Sequence, residues 1–121
     1  SLMSKQYQVL SIVAPNAERI VQGIKTLAVR SLRPEKLPLK DLVIVENTHF
    51  LNNDGDEEMC KVVALIDIES VHPWLAQEID AACATDWADE YFAWVISNVR
   101  PLKQPIEAIA KRKLYRLELN L

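Results

Sequence analysis

Pro15-Asn16-Ala17-Glu18-Arg19-Ile20-Val21-Gln22-Gly23-Ile24-Lys25-Thr26-Leu27-Ala28-Val29-Arg30-Ser31-Leu32-Arg33-Pro34 is the stretch on which the fold turns. It reads as a short helix, a glycine stop and a strand that carries cations away from the stop. Asn16 suits the N-cap, because its side-chain oxygen can accept from the free amides of the first turn. Glu18 places a negative charge at the positive end of the helix dipole. Ala17, Ile20, Val21 and Ile24 recur at helical spacing and form one apolar stripe. Gly23 falls where a left-handed residue is wanted, a conformation that glycine takes freely. Lys25 to Arg30 then alternates in the manner of a strand.

Working outward, Tyr7 to Val13 is apolar on both faces, with Tyr7 and Val9 on one and Leu10 and Ile12 on the other, as a central strand requires. Pro34 and Pro38 make Ser31 to Lys40 an irregular connection. Leu42 to Phe50 reads as a strand and Cys60 to Val71 as its return, joined by the turn signal Asn52-Asn53-Asp54-Gly55-Asp56. Read as an EF-hand loop with Gly55 at its sixth position, that segment would need an aspartate where Phe50 stands, so it is a solvated hairpin tip. His72-Pro73 opens an expected helix reaching Cys83, with Trp74, Leu75, Ile79 and Ala82 as its stripe. Thr85 and Asp86 are expected to cap a further turn around Trp87 to Glu90. Tyr91 to Val99 is ambiguous by pattern, and its aromatic and β-branched content favours a strand. Pro101 and Pro105 are expected to break the chain, Ile106 to Lys113 to form a short helix, and Leu114 to Leu119 to close as a strand. The expected architecture is α+β, mainly β. About six short strands form a small, partly closed barrel, which protects its edges, with two or three flanking helices.

The chain has 121 residues, one domain's worth, half of them hydrophobic and 26% charged. Ser1-Leu2 before Met3 reads as an addition for expression, so the natural domain is expected to run from Met3 to Leu121. Two glycines exclude a glycine-rich phosphate loop. No apolar run approaches the ~20 residues that span a bilayer, and no basic-then-apolar leader is visible. These features point away from a membrane and toward a cytoplasmic protein, and they leave the oligomeric state open, monomer or weak dimer. Cys60 and Cys83 are then free thiols. With His49 and His72 they are spaced by eleven or twelve residues. No close ligand pair of the zinc type exists, so no metal is expected. The net charge is −3, against a strong, non-specific nucleic-acid binder. The charges are segregated, however. Acids gather at 54 to 58 and 78 to 90, bases at 25 to 40 and 100 to 116.

Several residues carry candidate chemistry. Lys25, just past the glycine stop, is either an inward anion clamp or base, or a solvated lysine on a strand edge. Strict alternation would put Arg30 opposite Lys25 and on the face of Thr26, so a bend is needed to bring Lys25 and Arg30 together. Glu46 and Asn47 end an apolar run. Glu46 there either pairs with Lys25 or Arg30 at a barrel mouth or emerges into water. Trp74, Trp87 and Trp94 read first as core. Ser97 and Asn98 either bond a ligand or make a turn. Arg100, Lys103, Lys111, Arg112, Lys113 and Arg116 join the cations of 25 to 40 in a stripe that suits phosphate, or form a solvated face.

The segment Leu10-Ser11-Ile12, then Pro15, then Gly23-x-Lys25-Thr26-x-x-x-Arg30 resembles the ASCH domain, a branch of the PUA-like superfamily. Asp41 to Val45, Val62 to Ile68, Tyr91 to Ile96 and Val99-Arg100-Pro101-Leu102 continue the resemblance across nearly the whole chain. Lys40-Asp41 departs from the Gly-Asp turn usual before the next strand. The resemblance implies a cleft beside Gly23-Ile24-Lys25-Thr26 that binds RNA or a modified nucleoside or nucleotide. Lys25, Thr26, Arg30, Glu46, Trp94 and Asn98 would be its ligand-binding residues, and no cofactor is implied. Small bacterial relatives of this type are amidohydrolases that remove acyl groups from N4 of cytidine. Their lysine corresponds to Lys25, and Glu78 is the best candidate for their glutamate. Ala28 stands at their threonine and has no hydroxyl to act as nucleophile, and Thr26, next to Lys25, would face the other way.

Overall fold

The computed structural model describes residues 4–121, so the reading of Ser1 to Met3 lies outside the described residues. Six strands form one sheet: β1 (Lys5–Val13), β2 (Leu27–Arg30), β3 (Leu39–Asn47), β4 (Glu58–Pro73), β5 (Phe92–Ala110) and β6 (Leu114–Leu119). Their order is β2-β5-β4-β3-β1-β6, with β1 and β3 parallel and the other neighbours antiparallel. One helix, α1 (Asn16–Val21), and a 3-10 turn at Ala76–Glu78 accompany it.

The period of two explains the double burial of the centre. Leu10 and Ile12 of β1 join Leu42 and Ile44 of β3 and Ile66 and Ile68 of β4 in one core cluster, closed by Ala17 and Ile20 of α1. Val9, Val43, Val45 and Val62 point the other way, into a second cluster with Ala108 and Ala110 of β5. The two β5 alanines let the long strand lie close over that face. Register shifts between β4 and β5 at Val62/Ala64, Leu65/Asp67 and Ile68/Ser70 bend the pair, as bulges do.

The barrel expected from the sequence is not closed, because β2 and β6 remain unpaired edges. The sheet curves strongly all the same. Ala28 of β2 and Leu10 of β1 belong to one core, and an Arg30 guanidinium nitrogen donates to the Ser11 carbonyl at 3.0 Å.

The helices expected after α1 do not form. His72-Pro73 ends β4, paired with Ala93 and Phe92, and only a single 3-10 turn follows. Residues 85–90 form bends and turns. Ile106 to Ala110 is β5 and pairs with Glu58 to Val62. Pro101 and Pro105 do not break β5; Pro101 sits opposite Ala64, beside a register shift, where a missing donor is tolerated.

Asn16 does not cap α1. Pro15 takes the cap position without a side-chain bond, and the Asn16 oxygen accepts from Arg19 instead. Ile24 leaves the apolar stripe and lies exposed, because the chain has already turned at Gly23. Gly23 has φ +79°, and a Cβ there would meet nothing within 4 Å. Gly23→Ala is therefore expected to cost backbone strain alone, about 1 kcal/mol. A lower urea midpoint at unchanged slope would show it.

Candidate functional site

The two open edges of the sheet face a common cleft of about 920 Å³. Its buried lining includes Leu10, Ile12, Ala28 and Trp94. Trp94 is 3% exposed and donates its indole N–H to the Leu32 carbonyl at 2.9 Å. It is a wall of the site and cannot stack a base without unpacking the core.

Lys25 is the buried cation of the cleft, 7% exposed. The segment after β4 holds it there. Trp74, Ala82, Leu27 and Ala93 form a small cluster that packs this segment over β2 and β5. The amides of Thr26 and Leu27 donate to the Ala81 carbonyl, and the Lys25 ammonium donates to the Ala82 carbonyl at 2.6 Å. Burial brings the Lys25 pKa down to about 8. The nearby Cys83 opposes this, and the Arg30 and Arg19 guanidiniums add to it. Burial also lowers Arg30, which stays a cation.

Lys25 and Arg30 line the same cleft, although strict alternation would separate them. The reason is local. β2 begins only at Leu27, and the Lys25 amide is turned onto the Arg19 carbonyl, so the period of two does not run through Lys25.

The remaining charge is one-sided. Lys25, Arg30, Arg33 and Lys36 come from one stretch of chain; Lys111, Arg112, Lys113 and Arg116 come from the β5–β6 turn and β6. Glu35 is the one carboxylate among these lining residues. A chain of net charge −3 thus concentrates positive potential where low-dielectric walls focus it. Asp54 and Glu57 of the β3–β4 loop reach the rim, pairing with Arg112 and Lys111.

Other expected site residues lie elsewhere. Thr26 is exposed and absent from the lining; its backbone bonds Ala81 and Ile96. Glu46 is absent from the lining too. Asn47, one residue on and pointing to the other side of the strand, takes its place. Asn98, at φ +49°, donates to Asp67 instead of facing the cleft. Glu78 accepts from the Leu75 amide and bonds His72 at 2.9 Å, outside the lining. Ala28 does line the cleft, with no hydroxyl at that point. Arg100 is absorbed by Asp41 and Asp67, and Lys103 is not among the lining residues. Asn47 and Phe50 were missed by sequence reasoning. A hairpin sequence does not say which of its residues overlooks a cleft built from distant strands. No group of three or more His, Cys, Asp or Glu among the described residues is placed to hold a metal.

Fold and cleft together define a small, mainly β domain with a cationic cleft between its sheet edges. The chain belongs to the ASCH domain family, whose model matches residues 10–106. No curated protein matches it. Among the described residues no helix is long and apolar enough to cross a membrane.

Proposed function

We propose that this ASCH domain is a PUA-like module that binds RNA through the cleft between its sheet edges. The observation that carries the reading is the charge of that cleft: two groups of four cations against one carboxylate, in an acidic protein. Phosphate contacts supply affinity without sequence information, and a field of this kind attracts a polyanion before any base is read. Family membership supports the same class of ligand. Buried Lys25 and half-buried Arg30 are donors able to fix one phosphate or base edge, and the exposed rim cations guide the backbone.

The test is a titration of labelled single-stranded RNA at two salt concentrations. Binding should weaken with salt, with a log–log slope of about −0.7 for each phosphate neutralised. Lys113→Glu with Arg116→Glu should weaken binding and flatten that slope. Salt-insensitive or absent binding overturns the proposal. Incubation with N4-acetylcytidine belongs beside it. Release of cytidine that disappears in Lys25→Ala would make the cleft an amidohydrolase site despite Ala28.

A further inference from the structure

Phe50 is 75% exposed, more than any other large hydrophobic side chain among the described residues, and it lines the cationic cleft. A phenyl ring in water gains nothing for a monomer's own stability. Nor does it belong to a loose loop. The Asn47 side-chain amide donates to the His49 carbonyl at 2.6 Å, and the Thr48 hydroxyl donates to Glu58 at 2.7 Å. Leu51, the next residue, packs into the second core cluster. The Asn53 amide donates to Asp56, while Asp54 and Glu57 tie the loop to Arg112 and Lys111. The ring is held out beside cations by neighbours fixed on both sides of it. Little ordering entropy then remains to be lost when something flat lies against it.

We propose that Phe50 is a base-stacking platform and that the ligand of the cleft is a single-stranded polynucleotide, an inference that rests on the RNA-binding reading above. The chemistry of the lining defines the ligand. It must carry several anionic groups, because one phosphate cannot engage eight lining cations. It must also offer an exposed aromatic face beside those anions. A single strand has both, since its bases splay out and stack on aromatic side chains between phosphate contacts. A duplex hides its base faces within its own stack and offers Phe50 only edges and backbone. Trp94, the other aromatic ring singled out for the site, is closed off in the core. Asp54 and Glu57 hold Arg112 and Lys111 until phosphates replace them.

The experiment compares a labelled ten-nucleotide single-stranded RNA with a duplex of the same length, using the whole chain. Phe50→Ala, Phe50→Trp and Asp54→Asn with Glu57→Gln are measured beside the parent, and each variant's thermal transition confirms folding. Phe50→Ala should weaken single-strand binding by about 5- to 100-fold with the salt slope unchanged, because stacking and not a phosphate contact is lost. Phe50→Trp should bind at least as well as the parent. The Asp54/Glu57 variant should bind more tightly, with a steeper slope. Parent binding to the duplex should be weaker than to the single strand. If Phe50→Ala binds like the parent while Lys113→Glu with Arg116→Glu does not, the cleft stands and the stacking platform falls. If the duplex binds as tightly as the single strand, the ligand class is wrong. If no RNA binds at all, both readings fall together.

Discussion

Lys25→Ala is expected to weaken RNA binding by about 10- to 100-fold at pH 7, since a charge-assisted hydrogen bond to an anion contributes about 1.5–3 kcal/mol. The folded protein should survive the change. Lys25 is a buried charge that donates to the carbonyl of Ala82, and its pKa of about 8 records the cost of keeping it protonated. Lys25→Met, which keeps the stem and removes the charge, should lose binding equally and be no less stable at pH 7. The pH dependence has a definite sign. Because the folded pKa lies below 10.5, the unfolded chain holds the proton more tightly. Stability is lowest below pH 8 and rises between about pH 8 and 10.5, by at most about 3 kcal/mol. Anion affinity moves the opposite way, falling as the free protein loses the Lys25 proton. Urea titrations and RNA titrations at pH 7 and 9 would read both. Unchanged binding in both variants would show that Lys25 is a structural residue of the cleft.

Asp67→Ala should unfold more readily than any change at the cleft. Asp67 is 4% exposed, yet it joins three strands. It accepts from the Asp41 amide of β3 at 3.0 Å and from the Asn98 side chain of β5 at 3.1 Å. Arg100 donates to it at 3.2 Å, and Lys40 lies at 3.6 Å. Burial would raise this carboxyl, but the Asp41 amide, Asn98 and Arg100 outweigh burial and bring its pKa down to about 2. Removing it strands these donors beside the bulges of the sheet, at a cost of about 3–5 kcal/mol. The matching acid signature also has a fixed sign. Stability present above about pH 4 should be lost as the pH falls toward 2, by about 2 kcal/mol. Chemical denaturation of parent and variant between pH 2 and 7 would measure it. A variant less than 1 kcal/mol weaker at neutral pH would mean that the bulges hold without the carboxylate.

Asp67 also shows how far a sequence can be read. Its own segment, within Cys60 to Val71, reads as a strand by its β-branched run, but that pattern does not say what the acid inside it meets. The partner, Asn98, reads alone as a ligand donor or a turn. Its role depends on β4 and β5 being paired, with Asp67 opposite Ser97. The helices expected at 72–83 and 106–113 give way for different reasons. Ile106 to Ala110 lies within the β4–β5 ladder, where inter-strand hydrogen bonds outweigh a helix expected from its basic end. His72 and Pro73 still belong to that ladder, so no helix starts there, and a single 3-10 turn follows at Ala76–Glu78. Leu114 to Leu119 and the double-faced β1 came through intact because their alternation has no rival.

By itself, the sequence determined a mainly β domain of the ASCH type, the helix that turns at Gly23 and the two cationic segments that include Lys25 and Arg30. These follow from local chemistry: period, turn conformation and charge along the chain. Only the tertiary structure decided that residues 25–36 and 111–116 line one cleft, that Asn47 rather than Glu46 looks into it, that Trp94 is a wall and that Phe50 stands at its lip. Those facts depend on the curvature of an open sheet. Curvature is the sum of bulges and register shifts between strands up to tens of residues apart, and no local pattern encodes that sum.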